Sequence, residues 1–176
     1  EGSYAVINPA TEAPVAQILL GSPADVDAAV HAAHMAFPAY AASPLEERIG
    51  HLRRLRAVFE RRYAEMVTAI STEMGAPHDL SSRSQAACGP GHIDATIAAA
   101  QQLDWETKLD KNSNVVREAV GVCGLITPWN WPINQIMAKL APALVAGCTV
   151  VLKPSEQAPL SAQLIAEFID EIGLPS

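Results

Sequence analysis

The chain has 176 residues, 49% of them apolar, 18% charged and 5% aromatic, with a formal net charge of −7. A mean hydropathy of +0.13 excludes a charge-dominated disordered segment, and no uninterrupted apolar run reaches the roughly 18 residues of a membrane span. A pI near 5.1 argues against a nucleic-acid partner, which calls for a basic face.

Taken in chain order, residues 4 to 20 alternate loosely around Asn8-Pro9 and Pro14, which predicts an edge hairpin. Ser22-Pro23-Ala24-Asp25 is a helix start, with Ser as N-cap, Pro at the first helical position and an acid at the third. Val26, Ala29, Val30, Ala33 and Phe37 mark one face of that helix, and Pro38 is expected to end it. Ser43-Pro44-Leu45-Glu46 repeats the start signal. A stripe from Leu45 through Ile49, Leu52, Leu55, Phe59 and Met66 to Ile70 then predicts a long helix that stops at Gly75. Arg53, Arg54, Arg56, Arg61 and Arg62 on it read as a solvated, ion-paired face beside Glu46, Glu47, Glu60 and Glu65. A third helical region, Ser81 to Leu103, is expected to break or kink at Gly89-Pro90-Gly91.

After Trp105 the texture changes. Lys108 to Asn114 is polar and turn-like, Asn114 to Ala119 reads as a strand, and Gly121 to Thr127 is an apolar strand stopped by Pro128. Ile133 to Ala146 is a helix apolar on most faces and closed by Gly147. Cys148 to Leu152 follows as a buried strand of the parallel-sheet type. Lys153-Pro154-Ser155-Glu156 separates it from a last helix, Leu160 to Ile172, with Gly173 at its end. The expected fold class is α/β: N-terminal helices with an edge hairpin, then the first half (β-α-β-α) of a doubly wound parallel-sheet dinucleotide-binding domain. The domain is expected to be incomplete. Two parallel strands do not close such a sheet, and Leu174-Pro175-Ser176 reads as a connection cut between elements. The second strand would then carry an unpaired apolar edge, open to aggregation.

Cys88, Cys123 and Cys148 are an odd number without close metal-ligand spacing, so neither a disulfide framework nor a metal site is expected. Three buried thiols, with no signal-peptide pattern after Glu1, predict a cytoplasmic protein.

Ligands of an open parallel sheet bind beyond the carboxyl ends of its strands. Two polar clusters fall there, Thr127-Pro128-Trp129-Asn130-Trp131-Pro132 and Lys153-Pro154-Ser155-Glu156. Asn130 suits either a fixed amide donor aimed at a developing oxyanion or a residue that caps the next helix or closes a turn. Lys153 and Glu156, about 25 residues further on, suit either the ribose-binding acid and its cation or a surface Lys and a helix-start Glu. Neither G-x-G-x-x-G nor G-x-x-x-x-G-K-[ST] is present.

The run from Val116 to Pro132, containing Gly121-Val122-Cys123-Gly124-Leu125-Ile126-Thr127-Pro128-Trp129-Asn130, strongly resembles the aldehyde dehydrogenase superfamily. So do the run from Lys139 to Glu156, the opening Ile7-Asn8-Pro9-Ala10-Thr11-Glu12 and the helix beginning at Asp25. The resemblance implies an N-terminal portion of an enzyme that oxidises an aldehyde to a carboxylic acid through a cysteine thiohemiacetal. It implies that Asn130 is the oxyanion-hole amide and that Ile126, Thr127, Pro128, Trp129 and Asn130 line the cofactor cleft. Lys153, Ser155 and Glu156 would hold the adenosine ribose, and Trp131 and Gln135 would face the aldehyde tunnel. The Glu156 carboxylate would repel a 2′-phosphate and so favours NAD, while Lys153 and Ser155 tolerate NADP.

Residues 1–106 would then be the helical part of the dinucleotide-binding domain, 107–119 the strand segment that pairs subunits into a homodimer or homotetramer, and 120–176 the first half of the sheet. The catalytic domain, with its nucleophile and general base, would lie beyond residue 176, leaving these residues inactive alone. Cys88, Cys123 and Cys148 are not expected to replace that nucleophile. The rival reading is a truncated non-catalytic paralogue acting as an oligomerisation or interaction module. A third is a relative that reduces acyl phosphates or acyl-CoA thioesters.

Overall fold

A computed structural model describes residues 2–174; of the expected terminal connection, Pro175 and Ser176 lie outside the described residues. The N-terminal strands β1 (Ser3–Asn8) and β2 (Ala13–Leu19) pair antiparallel as the expected hairpin. Helix α1 (Pro23–Ala41) opens with a complete capping box: Asp25 N–H donates to Ser22 Oγ and Ser22 N–H to the Asp25 carboxylate, at 3.3 and 2.7 Å. Helices α2 (Leu45–Arg61) and α3 (Tyr63–Met74) follow, then a single turn α4 (His78–Leu80) that runs into a π-helical stretch, Ser81–Ala86. Helix α5 (Cys88–Gln102) leads to the short antiparallel pair β3 (Glu106–Lys108) and β4 (Asn114–Val116). The final unit is β5 (Val122–Ile126), α6 (Pro132–Val145), β6 (Thr149–Lys153) and α7 (Leu160–Glu171), with β5 and β6 parallel.

The core lies where α2, α5, α6 and α7 converge. Leu52, Leu55 and Phe59 of α2 are fully buried with Ile93, Ile133, Ile136, Ile165 and Phe168, and Phe59 meets Phe168 edge-on at 5.6 Å. One sheet face, carrying Cys123, Leu125, Val150 and Leu152, packs on this cluster. The opposite face meets α1, where Thr149 Oγ1 donates to Ala33 O at 2.8 Å. Two donors hold the α6 C-terminus and a third holds the loop before α2. Tyr40 O–H reaches Leu144 O at 3.1 Å, Arg48 Nε reaches Val145 O at 2.9 Å, and a second Arg48 nitrogen reaches Ser43 O. Arg48 is thus a buried cation at a helix C-terminus, where the dipole is negative, and it lies over the Trp105 ring. Burial pushes the Tyr40 hydroxyl up to about 12, so it stays a donor.

Several helix boundaries differ from the sequence expectations. Pro38 does not end α1, which continues to Ala41 because Tyr40 is buried and bonded to α6; the Pro costs one amide donor near the end. Val26 and Val30 on the expected buried face are 54% and 44% exposed, while Ala33 and Tyr40 are buried. Ser43 is not an N-cap: Pro44 holds that position, and the Ser43 hydroxyl donates back to Tyr40 O. The long stripe is two helices divided at Arg62, whose guanidinium bridges Glu65 and Glu167 at 2.7 Å and stacks over Phe168. Three of the remaining arginines bear out an ion-paired face, with Arg53 on Glu46, Arg56 on Glu60 and Asp94, and Arg61 on Glu171, whereas Arg54 meets His51 Nδ1 at 2.7 Å. The expected strand Asn114 to Ala119 ends at Val116, paired to a strand the polar composition had hidden.

Gly89-Pro90-Gly91 neither breaks nor kinks a helix. The irregularity lies upstream in the π-helical stretch, and Gly89 and Pro90 belong to the first turn of α5, where a missing amide donor costs little. Gly89 is there for closeness: an added Cβ would stand 2.4 Å from the Phe59 ring and 3.1 Å from Ile133. Gly75, at φ 63°, closes α3, and an added Cβ would meet Pro9 and Ala10 of the hairpin turn at 2.8 and 2.9 Å.

Helix α7 has no side-chain cap of its own. Glu73, 3% exposed on the last turn of α3, supplies one: its carboxylate accepts from Leu160 N–H at 2.6 Å, from Ser161 N–H at 3.3 Å and from the Ser161 hydroxyl. Burial outweighs these bonds and pushes the carboxyl from 4.5 up to about 7.

Gly89→Ala should lower stability by about 1–3 kcal/mol through overpacking, whereas Gly91→Ala, with nothing within 4 Å of its added Cβ, should be neutral or slightly stabilising; urea unfolding of both variants checks the pair. Because Glu73 binds its proton more tightly folded than unfolded, its contribution is fully present below pH 4.5 and is lost as pH rises through about 7. The wild-type Tm minus that of Glu73→Gln should therefore fall between about pH 5 and pH 8, and a flat difference would contradict the assignment.

Candidate active site

The carboxyl ends of β5 and β6 lie side by side, since the register pairs Ile126 with Lys153. One further bond, Thr127 N–H to Lys153 O at 3.2 Å, extends the ladder past both strands. This brings the two polar clusters to one edge, as the strand-end rule requires. Ile126 and Trp129 stand there 76% and 51% exposed, an unusual state for large apolar side chains at a strand end. Thr127 is buried, and Pro128 and Asn130 are exposed.

Asn130 is not a helix cap. Trp131 occupies the N-cap position of α6, and no side chain caps that helix, so the amide stands at the edge ahead of the α6 N-terminus. Trp131 itself is half-buried, with its indole N–H buried and without a partner among the described residues. Gln135, one turn along α6, is half-buried and accepts from the Lys139 ammonium through its backbone and side-chain oxygens, at 3.1 and 3.4 Å.

On the second cluster, Lys153 and Glu156 form an exposed ion pair at 3.2 Å. The Glu156 carboxyl is held below its usual range by its own backbone N–H and by Lys153, so it is ionised at neutral pH. Donor and acceptor side by side suit a vicinal diol. Ser155 is buried instead, its hydroxyl accepting from Gln157 N–H at 3.2 Å, which shapes the turn and leaves little of it for a ligand. With the exposed apolar pair Ile126 and Trp129, this edge fits one side of a dinucleotide: a flat apolar wall and a diol grip.

Groups on neighbouring elements complete the picture. His92 of α5 bonds the Asn134 side chain at 2.8 Å, beside Gln135. Glu73 lines a cavity of about 380 Å³ together with Trp129, Gln157 and Ala158. Neither residue was singled out in the sequence, where the only available signal was a polar side chain in an otherwise apolar helical stretch.

The cysteines lie elsewhere. Cys123 is the second residue of β5 and Cys148 precedes β6, both toward the amino ends of the strands, roughly 10 Å or more from the edge. Cys148 is buried as expected. Cys123 and Cys88 are only half-buried, yet burial still raises the Cys123 thiol, and Cys88 donates to Ser84 O. Among the described residues no cluster of His, Cys, Asp and Glu could hold a metal, and no helix is long and apolar enough to cross a membrane.

Comparison with known proteins places this edge in context. The family model described as "Aldehyde dehydrogenase family" matches residues 1–176. The 3-succinoylsemialdehyde-pyridine dehydrogenase of a Pseudomonas species is 50% identical over 171 residues, 97% of this chain and 36% of that protein. An aldehyde dehydrogenase of Bartonella henselae superposes with a TM-score of 0.96 at 45% identity, covering 99% of this chain and 37% of the other. Aldehyde dehydrogenase C of Pseudomonas syringae, a cysteine-to-alanine mutant crystallised with NAD+ and octanal, superposes at 0.95 with 44% identity over 99% of this chain and 36% of the other. The chain therefore spans little more than a third of the length of these relatives. The mixed α/β architecture belongs to that shared frame, and the chain is a member of the aldehyde dehydrogenase family.

Proposed function

We propose that the protein carrying these residues oxidises an aldehyde to the carboxylic acid with NAD+, using a cysteine nucleophile and a glutamate base that lie downstream of residue 176. The observation behind this reading is the clasp between Thr127 and Lys153, which sets Asn130 and the Lys153–Glu156 pair on one edge of a family-matched sheet. The NAD+ and octanal bound by the Pseudomonas syringae relative support the same substrate and cofactor classes.

In this reading the Asn130 amide N–H donates to the oxygen of the aldehyde as it gains negative charge under attack. A neutral, pre-oriented donor favours that charge without a proton transfer of its own. Ile126, Thr127, Pro128 and Trp129 form the wall of the cofactor cleft. Glu156 accepts from a ribose hydroxyl and Lys153 donates to its neighbour, with Ser155 shaping the turn between them. An ionised Glu156 repels a 2′-phosphate, favouring NAD over NADP. A nicotinamide held by these residues would supply the hydride acceptor. Trp131 and Gln135 line the aldehyde approach.

Residues 1–106 and 120–176 then belong to the dinucleotide-binding domain, and 107–119 form the segment through which subunits pair as dimer or tetramer. The exposure of Leu109, Val115 and Val116, at 70%, 44% and 56%, supports the pairing role. Three free thiols suit the reducing cytoplasm.

In the complete gene product, NADH formation from an aldehyde tests the site. Asn130→Ala should lower kcat by about 10²–10³ with little change in the KM for NAD. Glu156→Gln should raise that KM roughly tenfold and narrow the preference over NADP. Residues 1–176 alone should form no NADH, and turnover by them would sink the reading. Val115→Asp with Val116→Asp should shift the assembly toward monomer in light scattering, since like charges would face each other across the pairing strands.

A further inference from the structure

We infer that Glu73 is a positioning residue for the nucleotide-binding turn, an inference that rests on the proposed role of Lys153 and Glu156. The turn runs from the end of β6 to the start of α7, and its two ends are tied to different parts of the molecule. At the β6 end, Lys153 O accepts from Thr127 N–H at 3.2 Å. At the other end, the Glu73 carboxylate holds Leu160 N–H at 2.6 Å and Ser161 through both its backbone and its hydroxyl. Between these anchors, Ser155 O accepts from Ala158 N–H and Ser155 Oγ from Gln157 N–H, both at 3.2 Å, so the intervening residues make a folded bridge rather than a free loop. Glu156 sits in the middle of that bridge and meets Lys153 at one end of it.

Glu73 bonds neither Glu156 nor Lys153, and its influence passes through the backbone. Pro159, as the α7 N-cap, offers no side-chain acceptor, so the first amide donors of α7 depend on the distant carboxylate. Without it, Leu160 N–H and the buried Ser161 N–H lose that acceptor, the first turn of α7 frays, and Gln157 and Ala158 move with it. Glu73 also shares a cavity with Trp129 of the proposed wall and with Gln157 and Ala158 of the bridge, so it touches the space between these two parts. A shift of the bridge would therefore change the distance between the diol grip and the apolar wall.

The test uses the complete gene product and NAD+ as the probe, with affinity followed by calorimetry and turnover by NADH formation. Glu73→Ala should weaken NAD+ binding by about five- to twentyfold and raise the KM for NAD equally. At saturating NAD+ its kcat should stay within about twofold of wild type, and the KM for the aldehyde should not move. Glu73→Gln, which keeps one acceptor oxygen, should fall between the two. A residue that served stability alone would lower Tm while leaving the KM for NAD untouched at temperatures where the protein is folded. Wild-type NAD+ affinity in folded Glu73→Gln and Glu73→Ala, with Glu156→Gln weakened, would overturn this inference alone. Wild-type affinity in Glu156→Gln as well would overturn the proposed grip and this inference with it. Should Glu73→Ala fail to fold, the Gln variant decides.

Discussion

The candidate site depends on the register of β5 against β6. A one-residue slip of either strand would turn every side chain to the opposite face, moving Leu125, Val150 and Leu152 out of the core. The burial of those residues holds the pairing in place, and the carboxyl ends finish level as a consequence: Ile126 faces Lys153, and the Thr127 amide continues the ladder beyond them. A polar edge is thus aligned by an apolar constraint several residues away. The chemistry proposed for Asn130 and Glu156 inherits its geometry from packing that neither residue takes part in.

Two buried polar side chains fix opposite termini of the helices around the sheet. Arg48, a buried cation, meets the carbonyl end of α6, where the macrodipole is negative. Glu73, a buried acid, meets the amide end of α7, where it is positive. Arg61 and Arg62 then tie the outer face of α7 to the corner between α2 and α3. The helical layer built from residues 23–102 therefore grips both helices of the β-α-β-α unit by their termini as well as through the core.

Local chemistry was legible in the sequence, and distant chemistry was not. The capping box at Ser22 and Asp25, the apolar strands, the buried helix after Trp131 and the glycine after α7 all appear where the residues indicate, because each rests on neighbours within a turn. The strand-end rule also located both polar clusters, although the roles of Asn130 and Glu156 came only from the family resemblance. Pro38 and the Arg62 break were misread because tertiary contacts, Tyr40 of α1 to Leu144 of α6 and Arg62 to Glu167 of α7, override local preference, and Ser43 because its hydroxyl donates back to Tyr40 O. Gly89 reads as a breaker in sequence, yet its role is the close approach of Phe59 and Ile133, residues 30 and 44 positions away. His92 and Glu73 were invisible for the same reason: their partners lie 42 and 87 residues along the chain.

The Glu73 contact also bears on how the chain reaches its fold. A helix of twelve residues is marginal by itself in water, and α7 draws its cap from a side chain 87 residues upstream. That contact can form only after a long loop has closed, and closure entropy must be met before the bond rewards it. Folding should therefore be ordered, with α2 and α3 assembled first and α7 consolidating late against a terminus already prepared for it. In a transition-state map, Leu160 and Ser161 would then show low φ-values beside higher ones in α2, making the turn between β6 and α7 the last part of the sheet edge to take shape.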